Sequence, residues 1–283
     1  MTDTTPDDRY IVPALQRGLE LLGQFSRYSP ELSGAELSRQ LGLPRASVFR
    51  MLHTLEKAGF VERVGDTTQY KLSLGVLRLG FEYLASMELT EHGRPIIEAL
   101  RDASGYSAHI VVRDRREVVF VAKATGKSTQ FHAIQVGARL PAHATVLGRQ
   151  LLCCMTMAEL TALYPEETLQ SYTAKTPTTV AQLKALLDMD RRSGYGISQG
   201  GFETGICTIA APVLNDRLEV IAAVSITVPA QHLDKKITDT LVSLVQEAAK
   251  ALTDRLSHMP PPRPMPLSLP EPPKPRYKSA AKA

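Results

Sequence analysis

SGAELSRQLGLPRASVFRMLHTLEKAGFVERVGDTTQY, residues 33–70, spells two short helical patterns, a tight turn between them and an alternating basic hairpin. Ser33 with Glu36 three residues later fits a capping box, in which each side chain satisfies an orphan backbone donor at a helix start. The first helix is expected over 35–41. Gly42 then supplies a left-handed turn, and Pro44 suits the first position of the next helix, where a missing N–H is harmless. The second helix should run to about Ala58 before Gly59 stops it.

Along that second helix Val48, Met51, Leu52 and Leu55 keep the three-and-four spacing of one buried stripe, which turns Arg45, Ser47, Arg50 and Thr54 outward. Beyond Gly59, FVERV and QYKLS alternate apolar and polar residues around GDTT, the pattern of a hairpin. Helices, turn and hairpin in this order outline a winged helix-turn-helix, a reader of duplex DNA. A major groove about 12 Å wide admits one helix, and arginine reads guanine O6 and N7 with two hydrogen bonds. The N-terminal part of such a helix approaches the bases, so Arg45, Ser47 and Arg50 are better candidates than Thr54 or Lys57. Arg63 and Lys71 on the hairpin are the expected phosphate contacts. The plainer alternative is a small helical core with a solvated face.

Ala14, Leu15, Leu19, Leu22 and Phe25 give helical spacing over about 13–25, ahead of a loop, SRYSPELSG. After the hairpin, Leu74, Leu77, Phe81 and Leu84 mark another helix, and Val76, Leu79 and Tyr83 widen its apolar surface. So wide a surface needs partners on two sides, as in a connector between domains; burial within one domain is the alternative. From Glu88 the pattern is mixed. A helix over 90–103 precedes three β-rich runs, YSAHIVVR, EVVFVAKA and TQFHAIQ; helices follow to Cys154 and over 157–163 and 179–193. Two long runs, ICTIAAPVLN and EVIAAVSITV, turn at Asn215 and Asp216, and a last helix spans about 231–257. Strands in hairpin order framed by helices imply an α+β class with an antiparallel sheet.

The formal charge is +4, with 33 Lys and Arg against 29 Asp and Glu. The last 25 residues carry five basic side chains and one acidic, so the rest is balanced. Any field that steers DNA must therefore come from local arginine placement. Three cysteines cannot make a disulfide framework and fit a reducing cytoplasm. The polar start has no signal-peptide core, and no run of about 18 apolar residues suggests a membrane span. Cys153 and Cys154 sit in an apolar helical run where cysteine acts as a small hydrophobe. Nucleophile elbow, HExxH, Walker loop and CxxC are all missing, and GYGISQG is not a dinucleotide fingerprint. No enzyme activity, cofactor or metal is expected. Residues 259–283, with nine prolines, should form an extended, disordered tail.

The chain resembles the IclR family of bacterial transcriptional regulators. The resemblance rests on ALQRGLELLGQF, LSRQLGLPRASVFRMLHTLEKAGFVER and YKLSLGVLRLG in the first part, and on LPAHATVLGRQLL and GYGISQGGFETGICTIAAPV in the second. It implies a GAF-like effector-binding sheet domain and a homo-oligomer, a dimer or a dimer of dimers, with the connector helix in the contact. A sensor needs apolar walls with a few aimed polar groups. PAHATVLGR sets a threonine at a helix start, where free N–H groups favour an anion. AAVSITV puts Ser225 and Thr227 on one sheet face. By the resemblance, the effector-binding residues are Val146, Leu147, Ser198, Ile206, Thr208, Ser225 and Thr227, and the effector is a small organic or aromatic acid. Where some relatives carry an acid at Ser198 and a cysteine at Thr208, this chain has hydroxyls. Ser225 and Thr227 equally suit a buried strand edge, and GYGISQGG a plain loop. His143 reads as structural, and His109 as a packed or hydrogen-bonded core group. Phe131 and His132 have opposite registers, so only one can face a cavity.

The expected organisation is a disordered 1–9, a winged helix-turn-helix over 10–72, a linker helix over 73–87, an effector domain over 88–258 and the tail over 259–283. The function implied is a cytoplasmic, ligand-responsive regulator whose partners are operator DNA, a small effector and its own copies, with no membrane. A constitutive architectural DNA binder, or an enzyme with an appended DNA module, are the rivals.

Overall fold

Pro13, whose missing amide hydrogen is harmless in a first helical turn, opens α1 (Pro13–Leu22) in the computed structural model, which describes residues 11–26, 29–85, 88–126, 134–166 and 168–257. The expected segments 1–9 and 259–283, with Phe131 and His132, lie outside those residues. A short strand, β1 (Glu31–Ser33), follows where only a loop was expected; it pairs antiparallel with the far hairpin strand. The Ser33 hydroxyl then accepts the Glu36 amide at 3.2 Å, and the Glu36 carboxylate accepts the Ser33 amide at 2.7 Å. This capping box starts α2 (Gly34–Leu41). Ser33→Ala is expected to destabilise the N-terminal unit by about 1 kcal/mol, read as a lower urea midpoint; an unchanged midpoint would show that water replaces the cap.

Gly42 ends α2 with a left-handed φ of 64°. Pro44 caps α3 (Arg45–Lys57) rather than occupying its first turn, a shift of one residue from expectation. Its extended ψ of 137° keeps it outside the helix while its carbonyl accepts the Ser47 and Val48 amides. β2 (Val61–Arg63) and β3 (Gln69–Leu72) form the hairpin, and the sheet order is β1-β3-β2. Leu21, Leu37, Val48, Leu52, Val61 and Tyr70 fill the core beneath, with Met51 and Leu55 only partly buried at its rim.

α4 (Leu74–Ala85) leaves the hairpin through a tight joint. The Ser73 amide donates to the Phe60 carbonyl at 3.0 Å, and the Ser73 hydroxyl to that of Gly59 at 2.5 Å. α5 (Glu88–Ser104) leads on to a six-stranded antiparallel sheet. Its strands are β4 (Ser107–Asp114), β5 (Glu117–Ala124), β6 (Arg139–Pro141), β7 (Gly196–Gln199), β8 (Ile206–Leu214) and β9 (Val220–Pro229), in the order β6-β5-β4-β9-β8-β7.

Side-chain alternation divides the sheet's two faces. Ala222, Val224, Ile226 and Val228 pack with α5 and α9 (Lys235–Ser257), whereas Ala223 packs with α6 (Val146–Leu152) and α8 (Val180–Ser193) on the other side. α7 (Met157–Leu163) covers that second layer. Three expectations change here. Most of TQFHAIQ lies outside the described residues, its last two residues are not strand, and the sheet edge is β6. The loop reading of GYGISQGG fails for its middle four residues, which are β7. The last helix starts at Lys235, not near 231, because the Asp234 carboxylate accepts the Ile237 amide at 2.8 Å after a 3-10 turn at Ala230–His232.

Candidate functional site

Arg45 and Arg50 on α3 are exposed, and Ser47 is half-buried beside them. A groove between α1 and α3 brings Arg17 to the same place as Ser47 and Arg50. Arg17 was not singled out from sequence, since it lies one helix away and only tertiary packing unites them. On the hairpin, Lys71 stands opposite Glu62 and Arg63 opposite Tyr70. Adjacent positions on one strand face opposite ways, so Arg63 and Lys71 occupy different faces of the hairpin. Each has a local partner: Lys71 pairs with Glu62 at 3.0 Å, and Arg63 lies 3.6 Å from Glu56 and over the Tyr70 ring. These pairs are exposed and are readily exchanged for phosphate.

The second site lies between α6, the sheet and the loop after β7. Here a small cavity of about 60 Å3, partly open to solvent, has Phe120, Ile134, Leu140, Phe202 and Ile206 among its apolar walls. Thr145, Ser198, Thr208 and Thr227 bring hydroxyls to it, and Glu203 brings a carboxylate. Six of the seven residues expected on the effector line this one cavity: Val146, Leu147, Ser198, Ile206, Thr208 and Thr227. Ser225 does not; it is fully buried on β9. The sheet register aligns three of the hydroxyls, because Ser198 faces Thr208 and Thr208 faces Thr227 across β7, β8 and β9. Apolar wall residues such as Phe120 were missed because a wall residue in a strand has the same alternation as a core residue.

Each border of the cavity is fixed by named bonds. Thr145 caps α6 by accepting the Gly148 amide at 3.1 Å. Arg149, on the same helix, donates from Nε to Asp190 of α8 at 2.7 Å and from Nη2 to the Ile197 carbonyl of β7 at 3.0 Å. Gln150 donates to the same carboxylate at 3.1 Å. Gly200 and Gly201 form the roof, where Thr173 donates to the Gly200 carbonyl at 2.8 Å and Thr176 to that of Gly201 at 2.7 Å. Ser198 accepts the Gly201 amide at 3.1 Å. The Tyr172 ring packs against that of Phe202, tilted by 48° with centroids 4.9 Å apart.

Such a site can enclose a small apolar body and hold its polar end with hydroxyls. The cysteines lie elsewhere, and burial pushes the Cys153 thiol up to about 12 and that of Cys207 up to about 11. Thiols so shifted are poor nucleophiles. His143 has its Nε2 2.9 Å from the Gln170 carbonyl and packs against Tyr164 and Tyr172, as a structural side chain does.

Residues 14–65 match the family described as IclR helix-turn-helix domain, and residues 81–254 match Bacterial transcriptional regulator IclR C-terminal. The HTH-type transcriptional repressor AllR of Klebsiella pneumoniae is 31% identical over 250 residues, covering 87% of this chain and 91% of that one. The HTH-type transcriptional regulator XynR of Escherichia coli is 29% identical over 251 residues, covering 88% and 98%. Among solved structures, an IclR homolog from Microbacterium hydrocarbonoxydans complexed with 4-hydroxybenzoate shares the fold, with a TM-score of 0.76, 23% identity and coverage of 86% and 98%.

Proposed function

The chain belongs to the IclR family of bacterial transcriptional regulators, and from that premise we propose a division of labour among its parts. The unit built from α1 to β3 reads operator DNA through Arg45, Ser47 and Arg50. Arg63 and Lys71 hold phosphates from the two faces of the hairpin, and Arg17 joins them from α1. The cavity under α6 is the effector chamber, and its ligand is a small organic or aromatic acid. The 4-hydroxybenzoate bound by the Microbacterium relative makes that class the first to test. The observation that carries this reading is the convergence of three sequence-distant segments on one apolar cavity with a row of hydroxyls.

Two copies of the chain supply two reading heads. On α1, Leu15 and Leu19 are each 61% exposed, and on α4 Leu74 is 82% exposed. Apolar surface of that extent on α1 and α4 is the expected footprint of a second subunit. Paired heads would reach half-sites about 34–36 Å, one helical turn, apart, which makes the operator an imperfect palindrome. Ligand bound in the chamber favours one arrangement of the sheet domains, and α5 and α4 convert this into a changed spacing of the heads. No described helix is long and apolar enough to cross a membrane, and we place the protein in the cytoplasm.

Arg50→Ala tests the DNA half of this reading. Operator selected from a random duplex pool should bind the variant more weakly by about 1–3 kcal/mol in a fluorescence anisotropy titration, if Arg50 reads a base. Unchanged affinity would remove Arg50 from the reading surface.

A further inference from the structure

Four buried side-chain polar atoms among the described residues have no hydrogen-bond partner: Gln69 Oε1, His109 Nδ1, Tyr164 Oη and Ser225 Oγ. Two of them are neighbours. His109 on β4 is in register with Ser225 on β9, and the two residues are 3% and 0% exposed. A buried donor or acceptor without a partner is costly, so a facing pair is not what a core built only for stability would keep.

The pair lies one step behind the chamber. Ser225 and Thr227 point to the same side of β9, about 7 Å apart along the strand, and Thr227 lines the cavity. Phe120 also lines it, and its ring meets that of His109 edge-on with centroids 5.4 Å apart. Phe120 is therefore the wall between chamber and pair. Reaching His109 from the chamber requires that ring to turn aside.

The local charges limit what the pair can hold. Burial, and secondly the charge of Lys123 directly across on β5, push the His109 imidazole down to about 4. Lys123 itself donates to the Ile134 carbonyl at 2.7 Å. The unpartnered His109 Nδ1 donates or accepts according to the tautomer, and the serine hydroxyl can do both. Their complement is a group that also donates and accepts, an alcohol or phenol hydroxyl. A carboxylate only accepts, and would lose its hydration there without a protonated partner in the pair.

We propose that His109 and Ser225 form a deep hydroxyl-binding subsite of the chamber, selecting effectors that carry a neutral hydroxyl at the end remote from their acid group. This rests on the chamber being the effector site. The acid end then meets the row formed by Ser198, Thr208 and Thr227.

The test titrates 4-hydroxybenzoate and benzoate calorimetrically into the full-length chain and into Thr208→Val, His109→Leu and Ser225→Ala. The native chain is expected to prefer the hydroxylated acid by about tenfold or more, the worth of a well-made buried hydrogen bond. His109→Leu and Ser225→Ala should each bring that ratio close to one by weakening 4-hydroxybenzoate. Their urea midpoints should stay level or rise, because each change removes an unpartnered polar atom. Equal binding of the two acids by the native chain, or a preference that survives both variants, overturns the subsite and leaves the chamber standing. If neither acid binds, or Thr208→Val has no effect on either, the chamber reading fails and the subsite with it.

Discussion

Arg149→Met is expected to destabilise the sheet domain by about 3–5 kcal/mol, the usual cost of removing one partner from a buried ion pair. Arg149 and Asp190 are 7% and 3% exposed. The arginine ties α6 to α8 through Asp190 and to β7 through the Ile197 carbonyl. Methionine fills much of the same volume but leaves Asp190 with Gln150 as its remaining side-chain partner. Burial already raises the Asp190 carboxyl above its ordinary range, against the opposing pull of Arg149 and Gln150. Without the guanidinium it should rise further. A carboxyl whose folded pKa exceeds its unfolded value weakens the fold as pH climbs past the unfolded value, and the deficit shrinks when acid protonates it. Urea unfolding near neutral pH should therefore show the full loss, and unfolding in mild acid a smaller one. A double change, Arg149→Met with Asp190→Leu, should recover most of the stability. A single variant within about 1 kcal/mol of the native chain would contradict this account of how α6 is held over the chamber.

Gly75→Ala is the second large effect expected, and it acts at the joint between head and connector. A Cβ on Gly75 would overlap the Gly59 carbonyl, which is backbone just beyond the end of α3 and has no rotamer to yield. Either α4 swings outward or the chain around Gly59 shifts. Overpacking of this kind costs about 1–3 kcal/mol. It should lower the melting temperature of the N-terminal unit and, if α4 sets the spacing of paired heads as proposed, also weaken operator binding. Gly80, further along α4, has nothing within 4 Å of such a Cβ. Gly80→Ala should be neutral or stabilising, by up to about 1 kcal/mol, through helix propensity alone. Equal behaviour of the two variants in melting and operator titration would mean that the joint is slack.

The N-terminal unit was legible because its signals are local. The Ser33 cap, the Gly42 turn and the stripe of Val48 and Leu52 lie within a few turns of one another, so chain geometry alone orders them. β1 and β7 were not, since each is an edge strand of three or four residues whose identity comes from a partner elsewhere in the sheet. The opposed faces of Arg63 and Lys71 depend on the hairpin register, which the sequence reading did not work out. Family resemblance pointed to Thr208 and Thr227, and both line the cavity. Alternation also put Ser225 on the same face as Thr227, but it cannot say how far along a strand a cavity extends. That limit separates Ser225, buried behind the wall, from Thr227, which lines it.

On the proposed reading, the chamber and the reading head are joined by packed elements, from the sheet through α5 and α4 to the joint at Gly75. The most direct measurement of their coupling is the operator dissociation constant of the full-length chain, with and without a saturating small aromatic acid shown by calorimetry to bind it. A change of about 5–150-fold, in either direction, is the range of an allosteric coupling and is what this account predicts. An acid that fills the chamber and leaves the operator dissociation constant where it was would contradict it.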